Sequence, residues 1–141
     1  MYPLFTNHPG WYLQLDSEVI ECRSNEISQL LINLLNNAHD AVKATKELSQ
    51  RWVKLKVSSI DGVVRFRVED GGPGVPERYR DKLFTSSFTT KSLAEGTGFG
   101  LPICRKIAEK HNGRIFLEST SPVTSFVLEI PARQPTIQKA S

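Results

Sequence analysis

The sequence predicts an α/β fold in which an antiparallel sheet is covered on one face by helices. Three observations predict it. Residues 25–48 repeat apolar side chains at helical spacing, residues 52–69 alternate apolar and charged side chains about an Asp-Gly turn, and residues 102–111 form a second helical stretch that opens on alternating glycines. A strand that alternates buries one face and wets the other, so a cover is needed on one side only.

With 141 residues, the chain is long enough for one domain with a real core. Its formal net charge of +3, with no block of Lys or Arg, gives no electrostatic footprint for nucleic acid. Cys22 and Cys104 lack metal-ligand spacing and read as free thiols of a reducing compartment, so a cytoplasmic location is expected. The longest apolar run, Leu30-Leu31-Ile32, is far too short to cross a bilayer, and no signal peptide is visible. Any membrane anchoring is therefore expected from a segment outside this sequence.

Residues 1–10, with Pro3, Pro9 and Gly10, read as an irregular lead-in. Trp11 to Leu15 and Val19 to Cys22 alternate as two short strands around a turn at Asp16-Ser17. In the helix over 25–48, Ile27, Leu30, Leu31, Leu34, Leu35, Ala38, Ala41 and Val42 make one buried face. Asn33, Asn37 and Asp40 form a polar stripe beside it. Asn is a poor residue inside a helix, so two on one stripe suggest a local conflict accepted for function. The plain alternative is a solvated helix edge. The functional reading is a metal or phosphate contact, because amide oxygens suit a hard cation such as Mg²⁺.

Val53, Leu55 and Val57 alternate with Lys54, Lys56 and Ser58, and Val64, Phe66 and Val68 alternate with Arg65, Arg67 and Glu69, on either side of the favoured turn Asp61-Gly62. The second strand runs into Asp70-Gly71-Gly72-Pro73-Gly74. This is either a simple turn or a pocket in which the carboxylate accepts a ligand N–H, such as adenine N6, beside glycines that admit a flat ring. Residues 75–95 read as a short helix and then a polar lid-like loop, in which Lys91 is able to reach phosphates as a point charge. Gly96, Gly98 and Gly100 precede a helix that Pro102 begins and Asn112-Gly113 ends. Glycines that open a helix offer free N–H groups and a positive dipole end to an anion, although such loops are often only tight turns. Arg114 to Ser119 and Thr124 to Ile130 give two more strands about Ser121-Pro122, and Pro131 ends the sheet. Residues 1–131 are expected to form one domain and 132–141 a tail or linker.

Four motifs in this order resemble the ATP-binding catalytic domain of bacterial sensor histidine kinases, within the superfamily that includes DNA gyrase B, heat-shock-ninety chaperones and mismatch-repair ATPases. They are Asn33-Leu-Leu-Asn-Asn37-Ala-His-Asp-Ala41, Asp70-Gly-Gly-Pro-Gly74, Leu83-Phe-Thr-Ser-Ser-Phe-Thr-Thr-Lys91 and Gly96-Thr-Gly-Phe-Gly-Leu101. Thr124 to Pro131 is similar to the family's closing strand. The resemblance covers about residues 18 to 131. It implies a two-layer α/β (α+β) sandwich, the Bergerat ATP-binding fold, with a mixed, mostly antiparallel sheet under helices on one face. It also implies ATP and Mg²⁺ as cofactors. Asn37 then resembles the asparagine that binds Mg²⁺, with Asn33 one turn earlier in the same box. Asp70 resembles the aspartate that accepts from adenine N6, and Gly72 and Gly74 shape its pocket. Phe84 and Phe88 would order the lid, with Thr90 and Lys91 near the phosphates. Gly96, Gly98 and Gly100, with Leu101 closing the motif, would supply the phosphate-binding backbone. There are departures: Gly71 stands in place of the common Asn, Phe99 in place of the usual Leu, and Asp40 and Ala41 where many relatives carry a basic residue and an aromatic.

Position 33 chooses within the superfamily. Its ATP-hydrolysing members place a Glu there as a general base, and Asn33 cannot take a proton. A histidine nucleophile needs no such base. The expectation is therefore a kinase domain that orients Mg-ATP for a histidine elsewhere, since His8, His39 and His111 lack a helical dimerisation context. The implied partners are a phosphoacceptor and dimerisation domain, with a response regulator downstream. This segment would be a monomer and its parent a homodimer, possessing a membrane anchor or not. The alternatives are a regulatory nucleotide-binding module and an ATPase clamp.

Overall fold

The computed structural model describes residues 11–15, 22–43, 45–85, 100–118 and 120–133. The elements in chain order are β1 (Trp11–Leu15), α1 (Ser24–Lys43), a 3-10 turn (Leu48–Gln50), β2 (Val53–Ile60), β3 (Val63–Asp70), α2 (Glu77–Arg80), α3 (Gly100–Lys110), β4 (Arg114–Leu117) and β5 (Thr124–Pro131). The sheet order is β1-β2-β3-β5-β4, in which β1 is parallel to β2 and all other pairs are antiparallel. The mixed, mostly antiparallel sheet is the one the resemblance implies.

The central hairpin forms where alternation places it. Ile60 lies opposite Val63, and Asp61 and Gly62 both take positive φ, 51° and 80°, as the two-residue primed turn requires. Alternation then carries through the strand: Val64, Phe66, Val68 and finally Asp70 are buried. The carboxylate thus occupies the next core-facing position of a hydrophobic strand, one residue beyond the expected strand end at 69.

Several boundaries differ from expectation for physical reasons. The first helix ends at Lys43 rather than 48. Its buried stripe is Ile27, Leu30, Leu34, Ala38 and Val42, and no apolar residue continues that face. Thr45 closes the end by bonding back to Val42 and Ala41, while Leu48 is left 76% exposed. Cys22 lies in a bend before α1 and not in a strand, and residues 16–21 fall outside the described ones. α3 starts at Gly100, two residues before Pro102, whose missing N–H is harmless because the first-turn N–H groups have no helical acceptor. It ends as expected: Asn112 takes φ 61°, and the N–H groups of Asn112 and Gly113 bond to Glu109 and Ala108 in a Schellman closure. β4 stops at Leu117, and β5 runs one residue further than expected, with Pro131 opposite Val63.

Both long helices cover one face. The α1 stripe and Cys104, Ile107 and Ala108 of α3 pack on Val53, Leu55, Val64, Phe66, Val68, Phe126, Leu128 and Ile130. Leu30 and Leu34 are 0% and 1% exposed. At roughly 1.5–3 kcal/mol for a fully buried leucine, either outweighs any ion pair on the wet face. That face carries the predicted charges as ladders: Arg65 and Arg114 share Glu129, Lys56 meets Glu69, and Arg67 donates to Glu118 and Ser125.

Candidate functional site

α1 presents its polar stripe toward two glycine segments. At one end, a Cβ placed on Gly100 would stand 3.4 Å from Cβ and Cγ of Asn33. At the other, a Cβ on Gly72 would stand 3.1 Å from Cβ of Ala41. Asn37 sits midway on the same stripe, one helical turn from each and half-buried. Eight residues of helix separate Asn33 from Ala41, about 12 Å along the axis. This arrangement matches an elongated ligand with a flat head near Gly72 and an anionic tail near Gly100, at the start of α3, where unpaired N–H groups favour negative charge.

The head end is built around Asp70, only 2% exposed. Its Oδ1 accepts from the Gly72 N–H at 2.8 Å. Burial pushes the carboxyl up from its usual 3.8 to about 6, and the Gly72 hydrogen bond pulls the other way. A carboxylate held at this cost, with one oxygen committed, is a ready acceptor for a ligand N–H. Gly74 turns the chain with φ +87°, a conformation that side chains resist.

One residue here escaped sequence reasoning. Thr124 lies directly opposite Asp70 in the β3–β5 register. Its Oγ1 is buried without a hydrogen-bond partner among the described residues, and a Cβ on Gly74 would stand 3.6 Å from it. A buried hydroxyl without a partner is costly, which points to a ligand or water completing the set. A threonine at a strand start carries no signal of its own, and only the register brings it to Asp70.

Asn33 contacts the tail end in a specific way. Its side chain hydrogen-bonds Cys104, whose thiol burial pushes up to about 12 and whose Sγ also lies 3.7 Å from the Leu30 carbonyl. Cys104 is therefore an inert structural thiol. Phe84 and Leu101 are half-buried against the core, with the Phe84 ring edge-on to Phe126 at 6.2 Å. Phe88, Thr90, Lys91, Gly96 and Gly98 lie outside the described residues. Asp40, which stands where many relatives carry a basic residue, has the Lys43 ammonium 3.5 Å away, which partly neutralises it. Gly71 is explained by its neighbours: a Cβ there would stand 2.3 Å from the Gln50 carbonyl oxygen and 2.5 Å from Nε1 of Trp52.

Residues 22–134 match the model of the histidine kinase-, DNA gyrase B- and HSP90-like ATPase family, and the chain belongs to that family. Within it, the relatives are sensor histidine kinases. The chain is 40% identical over 95 residues to the sensor histidine kinase TmoS of Ectopseudomonas mendocina, covering 67% of this chain and 10% of TmoS. Its structure is similar to the nucleotide-free catalytic domain of histidine kinase ThkA, with TM-score 0.73 and 35% identity over 87% of this chain and 78% of that one. It is also similar to ThkA in complex with the response regulator protein TrrA, with TM-score 0.63 and 30% identity over 86% of this chain and 34% of that one. The chain spans well under half the length of the curated relatives it matches. Among the described residues, no helix is long and apolar enough to cross a membrane.

Proposed function

We propose that residues 1–131 form the ATP-binding domain of a two-component sensor kinase, which holds Mg-ATP and presents its γ-phosphate to a histidine on a separate phosphoacceptor domain. The observation that carries this is the position of Asn37 on α1, one turn from Asn33 beside Gly100 and one turn from Ala41 beside Gly72 and Asp70. In this reading the Asp70 carboxylate accepts from adenine N6, Thr124 completes the polar end of the pocket, and Gly72 and Gly74 leave room for the ring. The resemblance would assign the Gly96–Gly100 backbone, with Thr90 and Lys91, to the phosphates, and of these Gly100 lies among the described residues. The half-buried Asn37 amide suits Mg²⁺ by donor chemistry, and the bound ion would neutralise charge on the phosphate oxygens. Asn33 has its amide engaged by Cys104, so its first role is to hold the start of α3, with its oxygen left as a second candidate for the metal.

The acceptor is expected elsewhere. His111 is 3% exposed and both its ring nitrogens are engaged, so it offers no nucleophile. His39 is exposed beside Asp40 on α1, inside the nucleotide motif itself. A response regulator is the partner expected downstream, and a homodimeric parent in the cytoplasm or at the membrane is the expected setting.

Without a base at position 33, the isolated domain should bind Mg-ATP yet hydrolyse it far below ordinary enzyme rates of ~1–10³ s⁻¹. Adding a helical domain that carries an acceptor histidine should yield phosphohistidine, measured with γ-labelled ATP and acid lability. Steady hydrolysis within the ordinary range would favour the clamp. Tight ATP binding without transfer to the parent's own acceptor would favour the regulatory module.

A further inference from the structure

α1 and α3 run antiparallel, and α3 meets the first half of α1. Arg23, just before α1, meets His111, Glu26 meets Lys110, Leu30 meets Cys104, and Asn33 meets Gly100. One end of this seam is the nucleotide site and the other is His111. The ring is buried at 3% exposure, with Nδ1 2.9 Å from the Ile107 carbonyl oxygen and Nε2 3.0 Å from the Arg23 backbone nitrogen. A carbonyl only accepts and a backbone N–H only donates, so the ring is neutral with its proton on Nδ1. Arg23 is also the residue whose carbonyl starts α1, accepting from the N–H groups of Glu26 and Ile27 at 2.9 and 3.0 Å. One imidazole therefore joins the residue that begins α1 to the last turn of α3.

The rest of the seam holds register through weaker contacts: the Cys104 thiol, a weak donor and acceptor, bonds the Leu30 carbonyl at 3.7 Å and meets the Asn33 side chain. Apolar contact is non-directional, and the Lys110–Glu26 pair is a surface bridge with a half-exposed lysine, the kind that contributes little. Yet register matters at the other end, because a slip of one residue turns a helix by about 100° and would carry Asn33 away from Gly100.

We propose that His111 is a positioning residue, which pins α1 to α3 in the register that sets Asn33 and Asn37 opposite the phosphate-binding start of α3. The proposal rests on the nucleotide reading above. It predicts that loss of the Nε2 bond weakens binding of the phosphate tail and spares the adenine end, whose polar groups Asp70 and Thr124 stand on β3 and β5 and which α1 touches at Ala41, at the far end from His111.

Two variants separate the ring's two bonds. In His111→Asn the amide nitrogen replaces Nδ1 and keeps the bond to Ile107, but nothing reaches Arg23. In His111→Gln the amide oxygen replaces Nε2 and keeps the bond to Arg23. Titrations with Mg-ATP and with adenosine, at a temperature where all variants are folded, read the difference. His111→Asn should lose roughly two- to tenfold in ATP affinity, the range of one neutral hydrogen bond, with adenosine unchanged. His111→Gln should recover ATP binding to within about twofold, and hydrogen exchange at the Arg23 amide should rise in the Asn variant only. Lys110→Met, which removes the surface bridge, should leave both affinities as they are. Equal losses for ATP and adenosine, no loss for either, or an Asn variant too unstable to titrate would overturn the positioning role. A wild-type domain that bound neither ligand would overturn the nucleotide reading instead, while Arg23 exchange would still report the pin.

Discussion

Asp70→Ala should weaken ATP by roughly 10- to 150-fold and leave GTP nearly unchanged. In the proposed site the carboxylate would accept from the amino group that adenine carries at C6, whereas guanine presents a carbonyl there, acceptor against acceptor. A hydrogen bond to a charged group contributes about 1.5–3 kcal/mol, and each 1.4 kcal/mol is tenfold in affinity. Titration of both proteins with both nucleotides measures it. Equal loss for the two nucleotides would make Asp70 a turn residue and remove it from the base pocket.

The same residue should show a conflict between stability and binding. Its carboxyl is raised from 3.8 to about 6 by burial, so the folded domain prefers the protonated form. Above about pH 6 the group is ionised in both folded and unfolded chains, and the domain carries the full penalty. That penalty fades as pH falls from 6 toward 4, and below the unfolded value it is gone. A shift of this size corresponds to about 3 kcal/mol, an upper figure because Asn keeps only a weaker acceptor for the Gly72 N–H. Asp70→Asn should therefore stabilise the free domain at pH 7 by about 1–3 kcal/mol while weakening adenosine. Adenosine affinity of the wild type should fall below pH 6, and that of the variant should stay flat, since adenosine has no phosphate to titrate. Chemical denaturation at pH 5 and 7 checks the stability half. A variant less stable than wild type at pH 7 would refute it.

The second large effect runs against expectation from relatives. Installing the Asn common after the aspartate, Gly71→Asn, should destabilise this domain by about 3 kcal/mol, the upper end for overpacking. The new Cβ would meet the Gln50 carbonyl at 2.3 Å and the Trp52 indole at 2.5 and 2.9 Å, and Gly71 N–H is bonded to the Trp52 carbonyl at 3.1 Å, which limits retreat. Trp52→Ala removes two of the three close atoms. The double variant should be more stable than the sum of the single losses implies, with coupling of about 0.5–3 kcal/mol, measured by urea denaturation. Additive losses would mean that Trp52 and position 71 are independent.

The sequence by itself determined the layer and its chemistry. Alternation over 53–70 could only make a sheet with one wet face, the stripe from Ile27 to Val42 could only make a helix that covers the other, and Asp61-Gly62 and Asn112-Gly113 could only be a turn and a stop. These are local consequences of side-chain period and backbone sterics, which need no partner to act. Asn33, Asn37 and Asp70 stand out as candidates for a related reason: each is a polar residue where the local pattern favours an apolar or helix-forming one. The end of α1 was less legible, because a helix stops where its buried face stops, and helix-forming residues such as Lys46 and Glu47 follow. Tertiary structure alone decided the rest. The role of Thr124 depends on strand register, that of Gly71 on a tryptophan 19 residues earlier in the chain, and that of His111 on an antiparallel helix seam whose bonded partner Arg23 is 88 residues away. Contacts between distant segments arise only when the core closes, so no spacing within the chain announces them.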